Sequence, residues 1–249
     1  MNKDVNLYIM KIFIDSADIK EVEKYISWGI CDGVTTNPTI CLKSGVTGGE
    51  EGMKQRSIEI ARLIAPQPLS VEITTDDAEQ ALNQARKYNT WADNISVKVT
   101  ITDKNGGSLL PVIYRLVSEG ISVNVTAMMT FNQAILAAKA INAGLAKTSA
   151  RKTHFISIFA GRVSEEHGVE QAQKVLKEVR QWLDFHNYKN IEIIVGSVRT
   201  PENVELWSKS GAHILTIPPE VLAKCLVSAR TKETVVQFLN DASKAMQQL

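Results

Sequence analysis

Lys98 lies between two valines in the run Ser96-Val97-Lys98-Val99-Thr100, a β-branched stretch that reads as a central strand. A lysine so enclosed reaches water only past the end of its strand, and burial disfavours its charged form. A free amine of this kind is the reagent for Schiff-base chemistry on a carbonyl substrate. Because side chains alternate along a strand, apolar neighbours that pack outward force the residue between them inward. Applied strand by strand, that rule turns Asp15, Asn37, Glu72, Asn124, Thr126, Ser157 and Ser197 to the same interior as Lys98. Each unpaired buried polar group costs about 1–3 kcal/mol and a buried charge more, a heavy burden for a purely structural core. Any one of these residues is explained by a satisfied structural role. The set, converging near the C-terminal ends of different strands, is better explained as a site.

The elements that must position these residues follow from periodicity. Short β-branched runs alternate with amphipathic stretches, the pattern of βα units on a parallel sheet. Strands are expected at Ile9–Ile14, Gly33–Thr36, Leu69–Thr74, Ile95–Thr100, Ile121–Thr126, His154–Phe159, Ile191–Gly196 and His213–Ile217. Helices are expected near Asp18–Trp28, Met53–Ile64, Asp77–Tyr88, Leu109–Ser118, Phe131–Ala143, Val169–Phe185, Pro201–Ser210 and Glu220–Ala229, with a ninth over Lys232–Gln248. Eight such units in 249 residues predict an α/β fold: a single (β/α)8 TIM barrel spanning residues 1–249, with an additional C-terminal helix. No Gly-x-Gly-x-x-Gly follows the first strand, which weighs against a dinucleotide-binding sheet.

Composition excludes several classes. Hydrophobic residues make up 44% and charged residues 22%, close to the globular average. With 28 Lys plus Arg against 27 Asp plus Glu, the net charge of +1 gives no general attraction to nucleic acid. Cys31, Cys41 and Cys225 are too few and scattered for a disulfide framework, and they read as small hydrophobes in a reducing compartment. His154, His167, His186 and His213 show no paired ligand spacing, so no metal is expected. Residues Met1–Met10 lack the apolar run of a secretory signal, and no segment reaches the ~18 apolar residues of a membrane span. A cytoplasmic location without membrane partners is the expectation.

Five motifs together resemble the transaldolase family, in particular its short single-domain branch that includes fructose-6-phosphate aldolases. They are Asp32-Gly33-Val34-Thr35-Thr36-Asn37-Pro38-Thr39, Val97-Lys98-Val99, Asn124-Val125-Thr126, Ser157-Ile158-Phe159-Ala160-Gly161-Arg162 and Gly196-Ser197-Val198-Arg199-Thr200-Pro201. The resemblance also takes in Ile12-Phe13-Ile14-Asp15-Ser16-Ala17 and covers nearly the whole chain. It implies transfer of a dihydroxyacetone unit from a ketose phosphate to an aldose phosphate through a lysine Schiff base, with no cofactor. Lys98 then resembles the nucleophile and Asp15 the general acid/base. Glu72 and Thr126 are similar to the pair that holds the water used in proton transfers. Asn37, Asn124 and Ser157 match the hydrogen-bond partners of the dihydroxyacetone hydroxyls, and Phe159 stands where the aldolase branch tends to carry tyrosine. Arg162 and Arg199, with Ser197, match the phosphate site, for which bidentate guanidinium contacts supply the physical reason.

The chain departs from the family at Thr100 and Ile158, where proline is common, and at Met128-Met129-Thr130, where an aliphatic and aromatic run is usual. Residues Ala146–Thr153 and Lys104–Gly107 read as insertions. These changes bear on the sugar recognised. Three alternatives follow: an aldolase using free dihydroxyacetone, a transaldolase for a sulfonated or deoxy ketose, and a non-catalytic sugar-phosphate binder. Val235, Val236, Phe238 and Leu239 put an apolar face on a helix beyond the barrel, so a homo-oligomer is expected. The family resemblance implies a ring-based decamer.

Overall fold

The computed structural model describes residues 10–248. Its strands are β1 (Lys11–Asp15), β2 (Gly33–Thr35), β3 (Leu69–Glu72), β4 (Ile95–Thr100), β5 (Val123–Met128), β6 (His154–Ile158), β7 (Ile191–Val195) and β8 (Ile214–Ile217). They pair in parallel in chain order, and β8 returns to β1 to close a barrel. The helices are α1 (Ile19–Ser27), α2 (Pro38–Lys43), α3 (Gly49–Ile64), α4 (Ala78–Asn89), α5 (Leu110–Ser118) and α6 (Phe131–Leu145). They continue with α7 (Ala160–His167), α8 (Val169–Phe185), α9 (Pro201–Ser208), α10 (Pro219–Cys225) and α11 (Ala229–Gln248). The expected (β/α)8 barrel with a C-terminal helix is therefore the fold. Ile9, expected to open the first strand, lies outside the described residues, as does most of the Met1–Met10 segment. Among the described residues no helix is long and apolar enough to cross a membrane.

Alternation along the strands divides the core in two. Outward residues such as Ile14, Val34, Val97, Val125, Ile156 and Leu215 are fully buried beneath the helices. A separate cluster of Phe13, Phe155, Ile194 and Ile214 fills the barrel interior, with Phe13 and Phe155 edge to face at 5.8 Å. Gly33 makes this plug possible, because a Cβ there would lie 2.6 Å from the Phe13 ring. Each plug residue is followed two positions later by a residue facing the space above: Asp15, Ser157, Gly196 and Thr216. The apolar floor thus sets the height at which polar groups begin, toward the C-terminal ends of the strands.

Two helices were not expected. The sequence Asn37-Pro38 opens α2 directly, with the Asn37 side chain accepting from the Ile40 amide at 2.8 Å and proline at the first turn. At six residues α2 is too short to show a period. The eight-residue α7 has no side-chain cap and stops at Gly168, φ 86°. The Lys104–Gly107 segment, expected as an insertion, forms a tight turn between Thr102 and Ser108, its shape held by Asp103 Oδ1 accepting from the Asn105 and Gly107 amides at 2.7 and 2.8 Å. Two histidines serve the sheet. His154 Nδ1 accepts from the Val123 amide at 3.3 Å and His213 Nδ1 from the Ile193 amide at 3.0 Å. Burial holds their pKa values down to about 4 and about 3, so each stays neutral and able to accept. Of the cysteines, Cys41 is buried and Cys31 half-buried, but Cys225 is exposed and does not pack as a small hydrophobe.

Candidate active site

Strand register places Glu72, Lys98 and Asn124 side by side on β3, β4 and β5. Lys98 is 6% exposed. Its Nζ lies 2.9 Å from Glu72 Oε2 and donates to the Thr36 carbonyl at 3.3 Å. A carboxylate at that distance offsets the desolvation of the amine, a compensation that reading burial alone from the sequence did not include. Across the barrel, Asp15 ends β1 and lines the same recess. Burial pushes its carboxyl pKa up, opposed by the Lys98 amine and by a hydrogen bond from Thr35 Oγ1 at 2.6 Å.

The recess above the plug is narrow, with a cavity volume of about 50 Å³, well below the roughly 300–1,000 Å³ typical of small-molecule sites. The structure brings Asp15, Asn37, Lys98, Asn124, Thr126, Ser157, Phe159 and Ser197 to its wall, and Glu72 joins them through Lys98. Asn124 is fully buried between two serines. Its Nδ2 donates to Ser70 Oγ at 3.0 Å, and its Oδ1 accepts from Ser157 Oγ at 2.7 Å. Asn37 spends its oxygen capping α2, which leaves the amide nitrogen to donate into the recess. Thr126 Oγ1 is buried without a hydrogen-bond partner among the described residues, a cost of about 1–3 kcal/mol that a small polar molecule beside it removes.

Two backbone irregularities flank these groups. The β5–β6 register shifts between Val125 and Met128, and Ala127, inside the shift, has φ 61°. Ser197 has φ 60°. Left-handed conformations of non-glycine residues cost of order 1–3 kcal/mol and cluster at functional sites. Gly161 packs so tightly under the Ser197 segment that a Cβ would lie 1.9 Å from the Ser197 carbonyl oxygen. This contact ties the start of α7 to the loop after β7.

Arg162 and Arg199 are not in the enclosed part of the recess. Both are exposed, and they extend from the two segments that Gly161 holds together. Arg162 lies over the Phe159 ring, 5.1 Å from its centroid, and Arg199 is ion-paired with Glu165 on α7. The sequence reading missed Thr35, Thr216, Ser70 and Gly196. All four follow from the alternation rule, applied to β2, β3, β7 and β8 as it was to β4.

Comparison with known proteins identifies the family. Residues 12–249 match the family model described as Transaldolase/Fructose-6-phosphate aldolase. A probable transaldolase of Hyphomonas neptunium is 34% identical over 95% of this chain and 98% of its own length. Probable transaldolases of Lactiplantibacillus plantarum and Aquifex aeolicus are each 34% identical, over 93% and 94% of this chain and 96% and 97% of their own. Among solved structures, thiamine phosphate pyrophosphorylase from Pyrococcus furiosus superimposes with a TM-score of 0.53 at 10% identity, covering 84% of this chain and 85% of that one. At that identity the likeness speaks to the barrel alone. By family match, relatives and fold, this chain is an enzyme of the transaldolase/fructose-6-phosphate aldolase family.

Proposed function

We propose that this enzyme transfers a dihydroxyacetone unit from a ketose phosphate to an aldose phosphate through a Schiff base on Lys98. The observation that carries the reading is one buried amine, 2.9 Å from a carboxylate, in a polar recess that also holds a second, desolvated carboxyl group. Lys98 Nζ adds to the ketone carbon, and water leaves as the iminium forms. Glu72 and Thr126 handle the protons of that water; the unpaired Thr126 hydroxyl supports their pairing. Asp15 takes the proton of the hydroxyl next to the bond being cleaved, the carbon–carbon bond breaks, and its electrons remain on the enzyme as an enamine. Addition to the acceptor aldehyde and hydrolysis reverse these steps. Asn37, Asn124 and Ser157 hold the dihydroxyacetone hydroxyls. Arg162, Arg199 and Ser197 take the phosphate at the rim, where Arg199 exchanges Glu165 for the incoming anion.

Transfer, as opposed to release, requires the intermediate to outlast the arrival of an acceptor. Phe159 lines the recess without a hydroxyl that could activate water, which supports the transferase over the lyase. Turnover of fructose 6-phosphate measured with and without erythrose 4-phosphate tests the reading. Strong dependence on the acceptor is expected. Equal cleavage without it decides for the aldolase, and turnover of only a different ketose reassigns the substrate.

The assembly belongs to the same proposal. Every residue from 223 to 247 is exposed apart from the half-buried Thr234, and Phe238 and Leu239 are 65% and 66% exposed. Most helical stability in proteins comes from packing an amphipathic face, and among the described residues the apolar face of this 20-residue helix stays exposed, so we assign it to another copy of the chain, in a decamer. A monomer mass by light scattering at micromolar concentration overturns this. The three free thiols agree with a cytoplasmic location.

A further inference from the structure

We propose that Thr35 and Thr216 form a hydroxyl relay that holds one oxygen of Asp15 and aims the other at the substrate, a role that rests on the reading of Asp15 as the general acid/base. β1 lies between β2 and β8, so the strands on either side of Asp15 each contribute one threonine. Asp15 stands opposite Thr35, and Thr216 reaches Thr35 from the far side. Both threonines are buried, at 2% and 6% exposure.

A threonine hydroxyl has one proton to give. If Thr35 donates it to Asp15 Oδ1, the Thr35 oxygen accepts from Thr216 Oγ1, its hydrogen-bonded neighbour. The order of donation is then fixed, from Thr216 through Thr35 to the carboxylate, and each hydroxyl polarises the next. When Asp15 takes a proton on its other oxygen, the relay is undisturbed. The carboxyl can therefore alternate between base and acid without a side chain having to turn.

The charged groups around Asp15 come from three further elements. Lys98 on β4 favours the carboxylate, whereas Glu72 on β3, Glu220 on α10 and burial itself disfavour it. The Thr35 hydrogen bond is thus one of two influences, with the Lys98 charge, that keep Asp15 usable as a base. Removing it moves the Asp15 titration upward, and with it the acid limb of the kcat/KM profile.

The test compares Thr35→Val, Thr35→Ser and Thr216→Val in the full-length enzyme. Thr35→Val is expected to raise the acid limb by about one pH unit, with Ser restoring it and Thr216→Val giving a smaller rise. Borohydride trapping at Lys98 should be unchanged, because the amine takes no part in the relay. A substrate-free readout separates the relay from the proposed reaction: the infrared carboxyl band that is lost in Asp15→Asn, titrated in each variant. An upward midpoint supports the relay even if no sugar is trapped. An unchanged midpoint, or a Ser variant that behaves like Val, overturns it. Should Thr35→Val fail to fold, an unshifted midpoint in Thr216→Val is the refuting result.

Discussion

Replacing Lys98 with methionine separates the chemistry of the amine from its structural part. The substitution keeps an unbranched side chain, one atom shorter, but removes the contacts to Glu72 and to the Thr36 carbonyl, 2.9 and 3.3 Å away. Losing one member of a buried pair costs roughly 3–5 kcal/mol when the partner stays buried and charged. Here the Glu72 side chain is 25% exposed and can be solvated from the barrel mouth. The apolar replacement also avoids the cost of burying an amine. A net loss of about 1–3 kcal/mol follows, and at ~2–4 °C per kcal/mol for a chain of this size, Tm falls by roughly 2–12 °C. The barrel should therefore still fold at 25 °C, with unaltered far-UV circular dichroism. Activity, in contrast, should drop by more than about 10⁴, since no other group can supply the covalent step. Borohydride reduction with fructose 6-phosphate, followed by peptide mass mapping, should label Lys98 in the wild type and nothing in Lys98→Met. A labelled variant, or label on a different lysine of the wild type, refutes the assignment.

Losing Arg162 or Arg199 should raise KM for phosphorylated substrates by an amount equivalent to about 1.5–3 kcal/mol, with kcat little changed; an equal effect on unphosphorylated dihydroxyacetone refutes the phosphate role. Phe159→Tyr should increase acceptor-independent cleavage of fructose 6-phosphate relative to transfer, and an unchanged ratio removes Phe159 from control of water. Buried, neutral His154 contributes stability that is complete above pH 6.5 and declines as the pH falls from there toward its folded value of about 4. At ~1.4 kcal/mol per pH unit the loss is of order 3 kcal/mol, and urea denaturation should show a shallower decline in His154→Gln.

The chemistry-bearing set was legible because strand alternation is a local rule. Val97 and Val99 commit Lys98 to the interior whatever the rest of the chain does, and Ile14 does the same for the adjacent Asp15. Short helices escaped for the complementary reason: α2 and α7 are too brief for a period to emerge, although Asn37-Pro38 marked the start of one. The Thr35–Thr216 contact escaped because it joins residues 181 apart in the chain and exists only once β8 closes against β1.

Local order therefore determined the element types, the barrel, the identity of the amine and carboxyl groups, and the motifs that mark the family. Pairing was left to the tertiary structure. Closure chose Glu72 and the Thr36 carbonyl as the contacts of Lys98, set Asn124 between Ser70 and Ser157, and left the Thr126 hydroxyl without a hydrogen-bond partner among the described residues. It also gave Arg199 to Glu165. The physical reason is one of range. The direction of a side chain follows from the backbone of its own strand, whereas its partners depend on register and shear between strands that are distant in sequence, quantities fixed only when the barrel closes.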